Sequence, residues 1–169
     1  KAVDADAPRL SFVRDPRTIK LDISEIEMDK VTLPIHPEHP DKGVREWPLG
    51  DNPLKVKIAS EDFTSREARR LKDFADIGIH HKKTVGGWTG DISRTDRYGN
   101  TPIIHWLPSN MAQPAVLLLE EDGELVTASG LLETNDYPDG TIVQLERMGF
   151  AILEGTEDDG ARRLVRLHG

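Results

Sequence analysis

Turn signals limit the length of almost every element this chain can build. "EDGE" (121–124), "DYPDG" (136–140), "EDDG" (157–160) and "DRYGN" (96–100) carry Asp-Gly or Gly-Asn pairs, which accept the positive φ of tight hairpins. Around them lie short apolar or alternating runs: "LSFV", "TIKLDI", "KVTLPI", "LKVKIA", "PIIHWL", "AVLLLEE", "ELVTASGLL", "TIVQLERMGFAIL" and "RRLVRL". Runs this short predict strands, and their density in 169 residues predicts an all-β chain, a barrel or a pair of barrels. "SREARRLKDFAD" resists that pattern, because it combines good helix formers with apolar residues at Leu71, Phe74 and Ile77 and so favours a short helix. Proline at 34, 37, 40, 48 and 53 excludes "LPIHPEHPDKGVREWPLGDNP" from any central strand or helix interior and predicts a rigid extended connector between two β units. No segment repeats another in sequence.

Composition narrows function by exclusion. A formal net charge of −8 argues against nonspecific wrapping of nucleic acid, DNA included, although it permits a local basic face. Basic residues gather in "REARRLKDF" (Arg66, Arg69, Arg70, Lys72), "HHKK" (Lys82, Lys83) and "ARRLVRLHG" (Arg162, Arg163, Arg166). With no cysteine there are no disulfides, thiolate metal sites or cysteine nucleophiles, which fits a cytoplasmic location. No apolar run approaches the roughly 18 residues that span a bilayer, so no membrane association is expected. Lys1 in place of a methionine suggests part of a longer chain.

The chemistry-bearing residues form no catalytic set. His36 and His39 in "HPEH" have ligand-like spacing, as do the adjacent His80 and His81, but prolines forbid the helix that would align the first pair, and no cysteine completes either. Neither metal nor cofactor is expected in this chain. Gly86, Gly87 and Gly90 of "VGGWTGD" predict a hairpin or loop rather than a phosphate cradle. None of the serines sits in a Gly-x-Ser-x-Gly elbow.

"TIVQLERMGF" (141–150) carries polar residues among apolar ones. In a straight strand Gln144 and Glu146 face one side and Arg147 the other. Gln144 and Arg147 converge only if the strand ends or bends near Met148 and Gly149. Otherwise Glu146 and Arg147 pair with neighbouring strands at a solvent face.

"APRLSFVRDPRTIKLDI", "TLPIHPEHPDKGVREWPL", "RLKDFADIGI", "IIHWLP" and "TIVQLERMGFAIL" occur in one order. As an ordered set they resemble the C-terminal, anticodon-binding half of archaeal-type glutamyl-tRNA synthetases, over essentially the whole chain. The resemblance implies two β-barrels on the tRNA anticodon stem and loop: a proximal barrel from residues 1–33 and 103–169, and a connector plus distal barrel from 34–102. It makes "RRLKDF" a strand after a turn, with a helical turn near Ser65 to Ala68 as the fallback. It implies that Arg9, Gln144 and Arg147 read the middle anticodon uracil. Arg66, Arg69, Arg70, Lys82 and Lys83 become candidate contacts to the tRNA backbone. The implied partner is glutamate tRNA, with glutamine tRNA as a second, since the two share that uracil.

In this family ATP and magnesium act on a separate catalytic domain with His-Ile-Gly-His-like and Lys-Met-Ser-Lys-Ser-like motifs, and neither motif occurs here. The chain alone is therefore expected to bind tRNA without charging it. Two alternatives stand beside this reading. One is a glutaminyl-tRNA synthetase, disfavoured by the short stretch between "SEDF" and "RLKDF". The other is a free-standing β-barrel interaction protein that uses the Gln-Arg strand as a binding edge.

Overall fold

Asp122 and Gly123 both take positive φ, 52° and 81°, as a two-residue type I′ hairpin requires. The turn joins two ten-residue strands in register from Ala112↔Glu133 to Glu121↔Glu124. A computed structural model describes residues 6–63, 67–81, 87–96 and 99–168. In chain order the strands are β1 (Arg9–Leu10), β2 (Phe12–Arg14), β3 (Pro16–Leu21), β4 (Lys30–Pro34), β5 (Val44–Pro48), β6 (Leu54–Ala59), β7 (Arg69–Leu71) and β8 (Ala75–His81). They continue as β9 (Trp88–Arg94), β10 (Ile103–Ile104), β11 (Trp106–Pro108), β12 (Ala112–Glu121), β13 (Glu124–Glu133), β14 (Ile142–Leu145), β15 (Gly149–Thr156) and β16 (Arg162–His168). The chain is all-β apart from short 3-10 turns, and no helix among the described residues is long and apolar enough to cross a membrane.

Two seven-stranded sheets, each curled into a nearly closed barrel, hold most strands. The first runs β1-β14-β15-β16-β12-β13-β2 and the second β10-β7-β8-β9-β3-β6-β11. Each order begins and ends on two short strands separated by one residue, Ser11 in the first sheet and His105 in the second. One bent segment thus pairs with both margins of its sheet and removes the free edges. The senses of pairing correspond throughout, from parallel β1·β14 and β10·β7 to antiparallel β13·β2 and β6·β11. Even a register shift recurs, at Phe150/Ala151 and at Asp76/Ile77. The closing segment precedes the other strands of its sheet in the first barrel and follows them in the second. A repeat invisible in the sequence is therefore present in the topology.

The chain leaves the first sheet at Asp15, between β2 and β3, and returns at β12, so the sheets divide the chain earlier than the crossing expected near Leu33. Buried Ile19 and Leu21 of β3 explain the shift, since they belong to the second core with Val56, Ile58, Ile77 and Trp106. The proline-rich connector is not simply extended. β4 and β5 pair as an antiparallel ribbon with Pro34 and Pro48 at strand ends, and Trp47 from it meets Trp106 edge-on at 5.2 Å.

The helix expected in "SREARRLKDFAD" does not form. Arg69–Leu71 and Ala75–His81 are strands because Leu71, Ala75, Ile77 and Ile79 are buried in the second core, so the strand that the resemblance implied for "RRLKDF" covers its first three residues and Lys72, Asp73 and Phe74 form a turn. Tertiary burial overrides helix propensity here. The fallback turn near Ser65 falls partly outside the described residues. Gly90, expected in a hairpin or loop, lies within β9, which pairs antiparallel with β8, and there a Cβ would stand 2.8 Å from the Gly78 carbonyl oxygen.

Candidate nucleic-acid interface

Arg9 and Gln144 are far apart in sequence, yet they are register partners in the parallel pair β1·β14. The Gln144 amide N–H donates to the Pro8 carbonyl at 2.8 Å, and Glu146 N–H donates to the Leu10 carbonyl at 3.2 Å. Leu10, Val143 and Leu145 point into the first core, which leaves Arg9 and Gln144 half-buried on the outer face. Nε of Arg9 is buried without a hydrogen-bond partner, and the Gln144 side chain has none among the described residues. A buried donor without a partner is costly, about 1–3 kcal/mol, and its presence calls for a ligand or solvent group.

β14 ends at Leu145, where a tight turn reverses the chain. Met148 N–H donates to the Leu145 carbonyl at 3.1 Å, and Arg147 has φ 68°. That position of the turn normally takes Gly or Asn, and an L side chain there costs about 1–2 kcal/mol. The equivalent turn of the second barrel, Leu71 to Phe74, has the same closing bond at 2.9 Å and Asp73 at φ 61°. Here aspartate tolerates the conformation better than arginine.

The Arg147 guanidinium is held from the second sheet. Its Nη1 reaches Asp62 Oδ1 at 3.0 Å and Oδ2 at 2.8 Å, across to the 3-10 turn after β6. With Asp62, His105, Glu146 and Met148 it lines a small crevice between the sheets. β14 ends at Leu145, three residues before Met148, and β15 begins at Gly149. The structure brings Arg9 and Gln144 together, with Arg147 three residues on and 43% exposed.

Glu146 has no part in a solvent-face pairing. It is 7% exposed, with Lys72 Nζ 2.5 Å and His105 Nδ1 3.1 Å from its Oε2, although the histidine contact is not aligned as a hydrogen bond. Lys72 and Glu146 occupy the same place in the two equivalent turns, so the turns meet through opposite charges. Burial alone pushes the Glu146 carboxyl up, but the contacts with His105 and Lys72 outweigh it and lower the pKa from 4.5 to about 2. A depressed carboxylate stabilises the fold above its unfolded pKa, and that contribution is lost as pH falls from about 4.5 through about 2. The difference corresponds to roughly 3 kcal/mol at neutral pH. Denaturant titrations of the native chain and of Glu146→Gln should therefore diverge at neutral pH and converge toward pH 2. Parallel curves across that range would exclude the linkage.

The basic residues proposed for backbone contact divide. Arg70 is corrected: it is 5% exposed, with Nη2 donating to the Thr95 carbonyl at 2.8 Å and Nη1 lying 3.4 Å from Asp76 Oδ1, so it belongs to the interior. Arg69 pairs with Glu67 at 3.1 Å near the surface and keeps its candidacy. Arg66, Lys82 and Lys83 lie outside the described residues. His36 is buried, its Nδ1 accepting the Glu38 N–H at 3.2 Å, and no metal-holding cluster occurs among the described residues.

Residues 7–95, more than half of the chain, match the family described as tRNA synthetases class I (E and Q), anti-codon binding domain. The chain belongs to that family. Over 94% of its length it is 31% identical to a glutamate–tRNA ligase of Pyrococcus furiosus and to one of Methanosarcina barkeri. A glutamate–tRNA ligase of Thermoplasma volcanium is 32% identical over 88% of the chain. The chain spans only 25–28% of the length of these relatives. The family match takes in Arg9, Asp62 and Lys72, while Gln144 and Arg147 fall in the region matched by the relatives alone.

Proposed function

We propose that this chain is the anticodon-reading part of a glutamate–tRNA ligase. Arg9 and Gln144 meet the middle base, with Arg147 beside them on the base or its phosphate. The observation that carries the reading is the pairing of Arg9 with Gln144 on one outer face, with Nε of Arg9 buried and without a hydrogen-bond partner among the described residues. Uracil offers a donor at N3 and acceptors at O2 and O4, which an amide and a guanidinium complement. Cytosine would present mismatched groups, each costing about 1–3 kcal/mol. Family membership supports the same assignment.

The partner in this reading is glutamate tRNA, with glutamine tRNA as a second through the shared middle uracil. Glutamate activation with ATP and magnesium falls to a separate catalytic part of the parent protein, and the chain alone does not charge tRNA. The protein-binding-edge alternative loses support because β14 is flanked by β1 on one side and β15 on the other.

Binding of glutamate tRNA is expected to exceed that of the same tRNA with a middle cytosine by about tenfold or more at fixed low salt. Gln144→Ala should bring the two affinities together. Equal binding of both tRNAs by the native chain would exclude the reading.

A further inference from the structure

Every residue between Leu145 and Gly149 is held from outside the turn. Lys72 and His105 of the second barrel contact the Glu146 carboxylate at 2.5 and 3.1 Å. Asp62, also of the second barrel, holds Arg147. Arg166 of β16 donates from Nε to the Met148 carbonyl at 2.7 Å. Arg147 sits in a backbone conformation that its own side chain disfavours, so the turn depends on these contacts to keep it there.

The manner of the Asp62 contact is informative. Both carboxylate oxygens meet the same nitrogen, Nη1, whereas a fork-to-fork pair would engage two nitrogens. Nε and Nη2 of Arg147 have no partner among the described residues, and its side chain is 43% exposed against 12% for Asp62. The guanidinium is oriented, with donors left over. Lys72 acts one step further back, since Glu146 follows directly on β14 and its placement sets the end of the strand that carries Gln144.

We propose that Asp62 and Lys72 are positioning residues through which the second barrel aims the base-reading groups of the first. Asp62 aims Arg147 directly, and Lys72 sets the turn through Glu146. The inference rests on the reading of Arg9, Gln144 and Arg147 given above. It assigns the second barrel a share in middle-base selection without contact to that base.

The test measures dissociation constants of the full chain for glutamate tRNA and for its middle-cytosine variant, with denaturant unfolding of every protein alongside. Asp62→Asn and Lys72→Met should each lower the uracil-over-cytosine ratio by about fivefold or more, while Lys72→Arg retains the native ratio. A merely structural role would reduce the folded fraction, weaken both tRNAs alike and leave the ratio unchanged, and that result overturns the proposal. Tighter binding of both tRNAs by Asp62→Asn would cast Asp62 as a competitor for Arg147 and overturn it equally. A native chain without uracil preference would instead refute the underlying reading, so the two failures are distinct.

Discussion

Glu133→Ala is expected to remove about 3–5 kcal/mol of stability, a large fraction of what a domain of this size holds. Glu133 is 2% exposed at the end of β13. Its Oε1 accepts from Ser11 N–H at 3.0 Å and Arg45 Nη2 at 3.1 Å, and its Oε2 from Arg45 Nε at 2.9 Å and Trp47 Nε1 at 3.0 Å. Truncation leaves a guanidinium that is 9% exposed with the Pro34 carbonyl as its remaining hydrogen-bond acceptor among the described residues and the Trp47 ring beside it, and strands two N–H groups. Glu133→Gln should fall between alanine and the native chain, because an amide oxygen still accepts while its NH2 faces donors. Equilibrium denaturation of both variants checks this. A loss below about 1 kcal/mol for the alanine variant would mean that water replaces the carboxylate and the site is not dry.

The same residue couples stability to the placement of the proposed base-reading groups. Glu133 N–H donates to the Ser11 carbonyl at 2.9 Å while its side chain accepts from Ser11 N–H, so both backbone groups at the bend of the closing segment depend on it. Arg9 lies two residues away on that segment, and its own N–H donates to the Ile35 carbonyl at 2.9 Å, next to the ribbon that Arg45 and Trp47 anchor.

The strands were legible where local chemistry decides them, as at Asp122-Gly123 between β12 and β13. The strand at Arg69–Leu71 was legible only through family resemblance, because nothing local outweighs the helix formers around it and the burial of Leu71 and Ile77 is a tertiary fact. The pairing of Arg9 with Gln144 follows no spacing rule, since a segment from one end of the chain supplies the neighbour of a strand near the other. Arg70 was misread because a basic run looks solvated, and only the fold reveals Asp76 and two carbonyls around its guanidinium. Lys72 was legible only as part of a basic run, and His105 and Asp62 escaped notice, for a related reason. Their partners lie in a topologically equivalent turn that shows no sequence likeness, 74 residues away in the case of Lys72 and Glu146.

Gly130→Ala is expected to cost about 3 kcal/mol or more, at the upper end for overpacking, because the obstacle is backbone. A Cβ at Gly130 would stand 2.4 Å from the Val13 carbonyl oxygen, 3.1 Å from its carbon and 2.8 Å from Phe12 Cζ. Phe12 can rotate, but Val13 cannot retreat: it is 1% exposed and in register with Leu131, so relief requires β2 to move away from β13. Gly123→Ala separates this steric effect from simple glycine strain. Its φ is 81° and nothing lies within 4 Å of an added Cβ, so only the backbone penalty of about 1 kcal/mol applies. Unfolding free energies should therefore rank native, Gly123→Ala, then Gly130→Ala, and equal losses would mean that β2 docks loosely. Because β2 continues from β1 through Ser11 alone, displacing it should also draw Arg9 away from Gln144. A folded Gly130→Ala chain is thus expected to lose the proposed uracil preference as well as stability, whereas Gly123→Ala, at the far end of the β12–β13 hairpin, keeps it.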